Sequence, residues 1–199
     1  MSGFPDTLLF ATHNAGKVEE MRQLLSPYGV TVVSAKERGL AEPEETESTF
    51  VGNARIKAHA AAKATGLPAL ADDSGLCVDA LGGMPGVWTA DWAEGPDGRD
   101  FMRAMERTRA ELGDTPAPWT AQFRCTLVMA WPDGRDDVYE GVVAGALVWP
   151  VRGALGHGYD PMFVPDGDDR TFAEMTADEK NAMSHRARAL NALIEARFT

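Results

Sequence analysis

From Ala121 to Trp149 the chain carries an extended-strand pattern too long for an edge ornament. Ala121, Phe123, Cys125, Leu127, Met129 and Trp131 alternate with more polar neighbours, and side chains two apart on an extended backbone share a face. Pro132-Asp133-Gly134 supplies turn chemistry, and Val138 to Trp149 resumes as the antiparallel partner. The pattern predicts a long hairpin that serves as a platform of a sheet, which flanking segments must then cover. Thr7 to Ala11 reads as a buried strand, Thr12 to Gly16 as a turn, and Lys17 to Leu25 as a helix with Val18, Met21, Leu24 and Leu25 on one face. Pro27 and Gly29 end that helix, and Val30 to Val33 forms the next strand. Strand, turn, helix and strand in that order predict an α/β unit with a right-handed crossover. The fold class expected is α/β: a mixed β-sheet with flanking helices, in two lobes with a groove between them.

Three more helices fill the remainder. Ser48 or Thr49 caps the first of them, which carries Phe50, Ala54, Ala58, Ala61 and Ala62 on its apolar face and stops at Gly66-Leu67-Pro68. Phe101 to Leu112 is the next, with Phe101, Met102, Met105 and Leu112 partly aligned. Thr176-Ala177-Asp178-Glu179 is a capping box opening a last helix to about Arg197. The length of 199 residues fits a single domain spanning residues 1–199. No run is long and apolar enough to span a membrane, and Met1 to Asp6 lacks the pattern of a signal peptide. Cys77 and Cys125 sit in separate apolar contexts and read as buried thiols of a reducing, cytoplasmic compartment. A net charge of −11 argues against a nucleic-acid backbone as partner. It leaves room for a small polyphosphate held by a local cluster of cations. Only Lys17, Lys36, Lys57, Lys63 and Lys180 are lysines among the 19 basic residues, and lysine is the compact point charge for phosphate.

Asp72-Asp73-Ser74-Gly75 lies between the apolar runs Leu67 to Ala71 and Leu76 to Val78. Two readings stay open on this stretch alone. Asp, Ser and Gly are turn residues, so it can be a short strand, a turn and another strand. A doubled carboxylate between apolar runs also suits a hard-cation and water-activating site, since a desolvated carboxylate needs compensation. If the stretch is extended, the two carboxylates point to opposite faces and do different jobs.

Four further clusters carry chemistry. Thr12-His13-Asn14-Ala15-Gly16-Lys17 joins a strand to a helix N-terminus, where backbone N–H groups attract phosphate. It is not a P-loop, because Ala11 and Val18 stand where that motif needs Gly and Ser or Thr. Glu44-Glu45-Thr46 precedes a helix on which Asn53 and Lys57, four apart, share a face. Alone, that group reads more readily as a solvated acidic loop with an exposed lysine. Gly156 to Pro161 offers close backbone approach, His157 or Tyr159 to stack on a base, and Asp160 to accept hydrogen bonds. On the last helix Lys180 and Ser184 align, with His185 and Arg186 on an adjacent strip. Alone, that stripe reads as a solvated basic face.

Taken in order, these segments resemble the inosine/xanthosine triphosphate pyrophosphatase family, enzymes that remove non-standard purine nucleoside triphosphates. The matching text is Ala11 to Lys17, Glu44-Glu45-Thr46, Thr49-Phe50 with Asn53-Ala54 and Lys57-Ala58, Ala71 to Leu76, Gly158 to Pro161, and Glu179-Lys180 with Ser184-His185-Arg186. The resemblance implies an elongated mixed sheet with two lobes around a central substrate cleft, as a homodimer. It implies hydrolysis of ITP, dITP or XTP to the monophosphate and pyrophosphate with Mg²⁺. Thr12, His13, Asn14, Ala15, Gly16 and Lys17 would bind the triphosphate with Lys57. Asp73 would be catalytic base and metal-associated carboxylate, with Asp72 in support, and Glu44 the other metal position, with Glu45 as neighbouring candidate. Ser74, His157, Gly158, Tyr159, Asp160, Lys180, His185 and Arg186 would contact substrate. His157 departs from the Phe common at that position in the family. The alternatives are a pyrophosphatase of broader specificity and a nucleotide-binding protein without turnover. An aspartyl phosphatase is disfavoured, because it needs Asp-x-Asp spacing.

Overall fold

Residues 5–198 are described by a computed structural model. Residues Met1 to Phe4, on which most of the signal-peptide reading rests, lie outside them. Six strands form one mixed sheet in the order β2-β1-β3-β4-β5-β6. They are β1 (Thr7–Phe10), β2 (Thr31–Ser34), β3 (Ala69–Val78), β4 (Trp119–Ala130), β5 (Asp136–Leu147) and β6 (Phe163–Pro165). The helices are α1 (Ala15–Leu25), α2 (Phe50–Thr65), α3 (Phe101–Leu112), α4 (Ala177–Asn181) and α5 (His185–Phe198). The chain divides into two compact units, and β3, β4 and β5 each contribute residues to both.

The first unit comprises residues 1–73, 126–139 and 190–199. Here β1 pairs in parallel with β2 and with β3, the geometry that a strand–helix–strand crossover requires. Val18, Met21 and Leu25 of α1 are buried. The alanine face of α2 packs Ala54, Ala58, Ala61 and Ala62 against Leu9, Ala69, Ala71, Val128 and Ala130. Small side chains bring the helix axis close to the sheet, which sets the depth of every other α2 side chain. Thr49 caps α2 by accepting from the Gly52 N–H, a bond worth about 1 kcal/mol.

The second unit comprises residues 74–125 and 140–189. Its core is aromatic: Phe123, Tyr159, Phe163 and Phe172 with Trp92, Met105, Leu112 and Met162. In this unit β5 pairs antiparallel with β6. Trp92 is buried, whereas Trp88 and Met102 stand exposed, so Met102 does not join the apolar face of α3. Cys125 is buried and Cys77 only half-buried, and the two are not joined in a disulfide.

Two expectations are corrected. Asp72 to Gly75 is not a turn: β3 runs unbroken for ten residues through both aspartates. Ion pairs, described below, compensate the charge that a turn would have put in water. The last helix is also not continuous. It breaks after Asn181 and restarts at His185, with Ser184 accepting from the Ala187 N–H. Lys180 and Ser184 are therefore not one turn apart on a single helix, and the stripe expected there is replaced by a buried corner. Among the described residues no helix is long and apolar enough to cross a membrane.

Candidate active site

The extended backbone at Asp72 and Asp73 sends their side chains in different directions, and each meets its own lysine environment in the first unit. Asp72 is almost wholly buried, and its Oδ2 accepts from Lys17 Nζ at 2.8 Å. Lys17 is brought there by the turn before α1. Asn14 caps that helix, with Oδ1 accepting the Lys17 N–H at 3.1 Å, and Thr12 Oγ1 accepts the Asn14 N–H at 3.2 Å. The Thr12 to Lys17 segment is thus preordered by its own side chains, and its lysine is tied to β3.

Asp73 faces a second cluster. Lys57 is 7% exposed, not the solvated lysine of the simplest sequence reading, because the close approach of α2 carries it in. Its Nζ donates to Glu45 Oε1 at 2.5 Å. Burial works to lower the Lys57 pKa, but Asp72, Asp73 and Glu45 outweigh it and hold the ammonium charged. Burial pushes the Asp73 carboxyl up to about 7. Lys57 opposes that rise, Glu45 and Asp72 add to it, and a hydrogen bond from Asn53 works against it. Asn53 also accepts the Glu47 N–H at 2.9 Å, so it fastens the acidic loop to α2 and touches Asp73. The sequence reading placed Asn53 beside Lys57 but gave it no place in the site. Its clue was the four-residue spacing.

Both glutamates are exposed, and Glu45 is the one brought to Lys57 and Asp73. Two lysines therefore meet three carboxylates, Asp72, Asp73 and Glu45. Among the described residues no three Asp, Glu, His or Cys side chains converge into a metal cage. Magnesium needs none: it takes one or two carboxylates and completes its shell with phosphate oxygens and water. The surplus carboxylate charge and the raised Asp73 pKa fit a hard divalent cation. His13 makes contacts of its own, its Nε2 2.8 Å from the Leu40 carbonyl oxygen and its Nδ1 3.7 Å from Glu42. It lines a cavity of about 250 Å³ with Leu40, Glu42 and Lys57.

The second unit gathers the other sequence candidates. Asp160 is buried, and its Oδ2 accepts from Lys180 Nζ at 2.5 Å and from the His157 N–H at 2.8 Å. A Cβ on Gly156, whose φ is +72°, would collide with that same oxygen, so glycine is required there on two counts. Asp160 is thus occupied in shaping the Gly156 to Gly158 loop and in holding Lys180. His157 itself is exposed. Tyr159 is buried against Phe101, with its hydroxyl 3.4 Å from the Thr89 carbonyl oxygen, and burial raises its pKa. Its ring is core rather than a surface for stacking a base. Ser184, His185 and Arg186 are all buried, and an Arg186 amine lies 3.4 Å from Ser74 Oγ. His185 stacks on Phe123, and Lys180 Nζ lies 5.5 Å from the centroid of the Phe172 ring. Neither ring was singled out in the sequence. Alternation placed Phe123 on an inward face but gave no sign of what lay on it.

A family model described as the Ham1 family matches residues 8–196. The chain belongs to the Ham1 family. This Ham1 chain is 66% identical over 195 residues to a dITP/XTP pyrophosphatase of Ruegeria pomeroyi, covering 97% of this chain and 96% of that one. It is 57% identical to a dITP/XTP pyrophosphatase of Gluconobacter oxydans, covering 94% and 88%. Among solved structures, a HAM1 protein from Coxiella burnetii superposes with a TM-score of 0.88 at 37% identity, covering 96% and 97%. A nucleoside-triphosphatase / dITP/XTP pyrophosphatase from Mycobacterium abscessus superposes with a TM-score of 0.78 at 41% identity, covering 94% and 98%.

Proposed function

We propose that this chain hydrolyses non-standard purine nucleoside triphosphates, dITP, XTP and ITP, to the monophosphate and pyrophosphate in a magnesium-dependent reaction. The observation that carries the reading is the group in which buried Asp72 and Asp73 of β3 and buried Lys57 of α2 meet the half-buried Lys17 of α1 and the exposed Glu45 of the loop before α2. Relatives named dITP/XTP pyrophosphatase at 66% and 57% identity support the substrate class.

Asp73 is the general base. A carboxyl with a pKa of about 7 is poised to accept a proton from water near neutrality, and attack then falls on the α-phosphorus. Lys17, Lys57 and the N–H groups at the start of α1 hold the triphosphate. Asp73 and Glu45, with Glu44 nearby in the same loop, would hold the magnesium ion, which when bound neutralises charge on the departing pyrophosphate. Pyrophosphate in that state leaves readily, which accounts for the lack of a dedicated acid beside Asp73. Lys180, His185 and Arg186 contribute donors for an acceptor-rich purine edge, with Ser74 beside Arg186. A 6-keto group suits donors, and an adenine amino group would leave them unmatched. The same reading carries a homodimer and a cytoplasmic location.

The test is pyrophosphate release from dITP, XTP, ITP, ATP and GTP with and without Mg²⁺. Release from the first three that greatly exceeds that from ATP, and that EDTA abolishes, is the expected result. Equal rates on ATP would point to a broader-specificity pyrophosphatase, and binding without release would remove the enzymatic reading. Light scattering on the purified chain tests the dimer.

A further inference from the structure

The start of α5 is held from below by two residues to which the proposed reaction gives no role. On β4, the Phe123 ring lies parallel to the His185 imidazole, with centroids 4.9 Å apart and planes 12° apart. Phe123 is itself braced: Phe172 stacks with it at 5.9 Å and 16°, and Phe163 meets it edge-on at 4.7 Å. Phe163 and Phe172 are fully buried, so the ring under His185 has little freedom to tilt. On β5, the backbone at Gly141 passes so close to α5 that a Cβ there would collide with the His185 carbonyl oxygen and the Ala189 nitrogen. Beside it, Arg188 donates to the Val142 carbonyl oxygen at 2.8 Å. The Ser184 cap sets where the helix begins. A cap does not set the direction in which the first turn points, because the bond lies within the turn itself.

We propose that Phe123 and Gly141 are positioning residues that together form a seat for the first turn of α5, fixing the direction in which His185 and Arg186 are presented to the purine. The proposal rests on the reading of those two side chains as base contacts. A merely structural Phe123 would need only apolar volume. A seat needs a flat ring, because parallel stacking fixes a plane where aliphatic packing does not.

Phe123→Leu keeps apolar bulk and removes the plane. Its KM for dITP is expected to rise about tenfold with kcat little changed, the scale of one aromatic pair. Inhibition by inorganic tripolyphosphate, which engages only the phosphate-binding residues, should keep the wild-type inhibition constant. Phe123→Tyr should restore KM. Gly141→Ala should raise KM in the same manner by lifting the turn. In NMR spectra the His185 ring protons, shielded by Phe123, should move downfield in Phe123→Leu. An unchanged His185 shift and KM would overturn the proposal, as would parallel loss of dITP and tripolyphosphate binding. The NMR measurement needs no substrate. A wrong functional reading would instead appear as absent turnover by the wild-type chain.

Discussion

The two compact units set their basic side chains against different neighbours. In the first, Lys17 and Lys57 are set against Asp72, Asp73 and Glu45, leaving more carboxylates than ammonium groups. In the second, Lys180 has Asp160 on one side and the Phe172 ring on another, His185 lies on Phe123, and Arg107 covers Trp92. A carboxylate surplus invites a metal ion and, through it, phosphate. A donor surplus over aromatic rings invites a flat acceptor such as a keto-purine. The contrast teaches that a carboxylate-rich and an aromatic-rich setting give basic side chains different chemical uses within one chain.

The largest effect should come from Asp73, whose carboxyl burial pushes up to about 7. Asp73→Asn is expected to lower kcat about a thousandfold, within the range of a lost general base. The circular dichroism spectrum should stay close to wild type. Unchanged turnover would place the base elsewhere and erase the functional side of the contrast.

Asp73 should also leave a signature in stability. Its folded pKa of about 7 lies above the ordinary aspartate value of 3.8, so burying the ionised form opposes folding. The penalty is absent below pH 3.8, grows between 3.8 and 7, and is complete above 7. Asp73→Asn should therefore be more stable than wild type at pH 8 without metal, by up to about 4 kcal/mol. The gap should close as pH falls through that window. Urea denaturation of both chains across pH 4 to 8 measures it, and a gap that widens toward acid would mean the sign is wrong. Added Mg²⁺ should narrow it at pH 8.

Removing a cation from each unit compares their compensation directly. Lys57→Met leaves Asp72, Asp73 and Glu45 without their shared ammonium and should destabilise by about 3 kcal/mol. Lys180→Met should lose less, about 1–2 kcal/mol, because the thioether can rest on Phe172 and Asp160 keeps the His157 N–H. Equal losses in thermal denaturation would show that rings and carboxylates compensate alike.

What could be read from sequence follows from how local its cause is. The ends of α3, the cap at Thr49 and the hairpin after Trp131 depend on neighbours within a few residues, and all three agree with the structure. The ordered motifs named Lys17, Asp72, Lys57, Asp73 and Glu45, which the structure brings together. Geometry was not legible. Asp72 to Gly75 has turn composition yet lies in strand, because Lys17, 55 residues away, neutralises Asp72. The break between α4 and α5 was hidden by good helix formers on both sides, and Lys57 looked exposed because nothing local reports how closely an alanine face lets α2 approach the sheet. The stacking of Phe123 on His185 joins residues far apart in sequence, where alternation names a face but not its occupant.

The smallest effect tests whether burial, and not pairing alone, gives the first cluster its weight. Glu37 in the same unit is well paired but solvated. Its carboxylate accepts the Ser34 N–H at 2.8 Å and the Arg22 guanidinium at 2.7 Å. The Ser34 backbone bond first, and Arg22 second, hold its pKa down at about 2. The sign is opposite to that of Asp73: its contribution is present above pH 4.5 and is lost as pH falls toward 2. Because water and salt screen an exposed pair, Glu37→Gln should shift the melting temperature only slightly at pH 7. That shift should shrink further in 1 M NaCl and vanish near pH 2. A loss comparable to that of Lys57→Met would show that the hydrogen-bonded ends of β2 matter as much as buried charge, and the contrast between the two units would then rest on pairing rather than on burial.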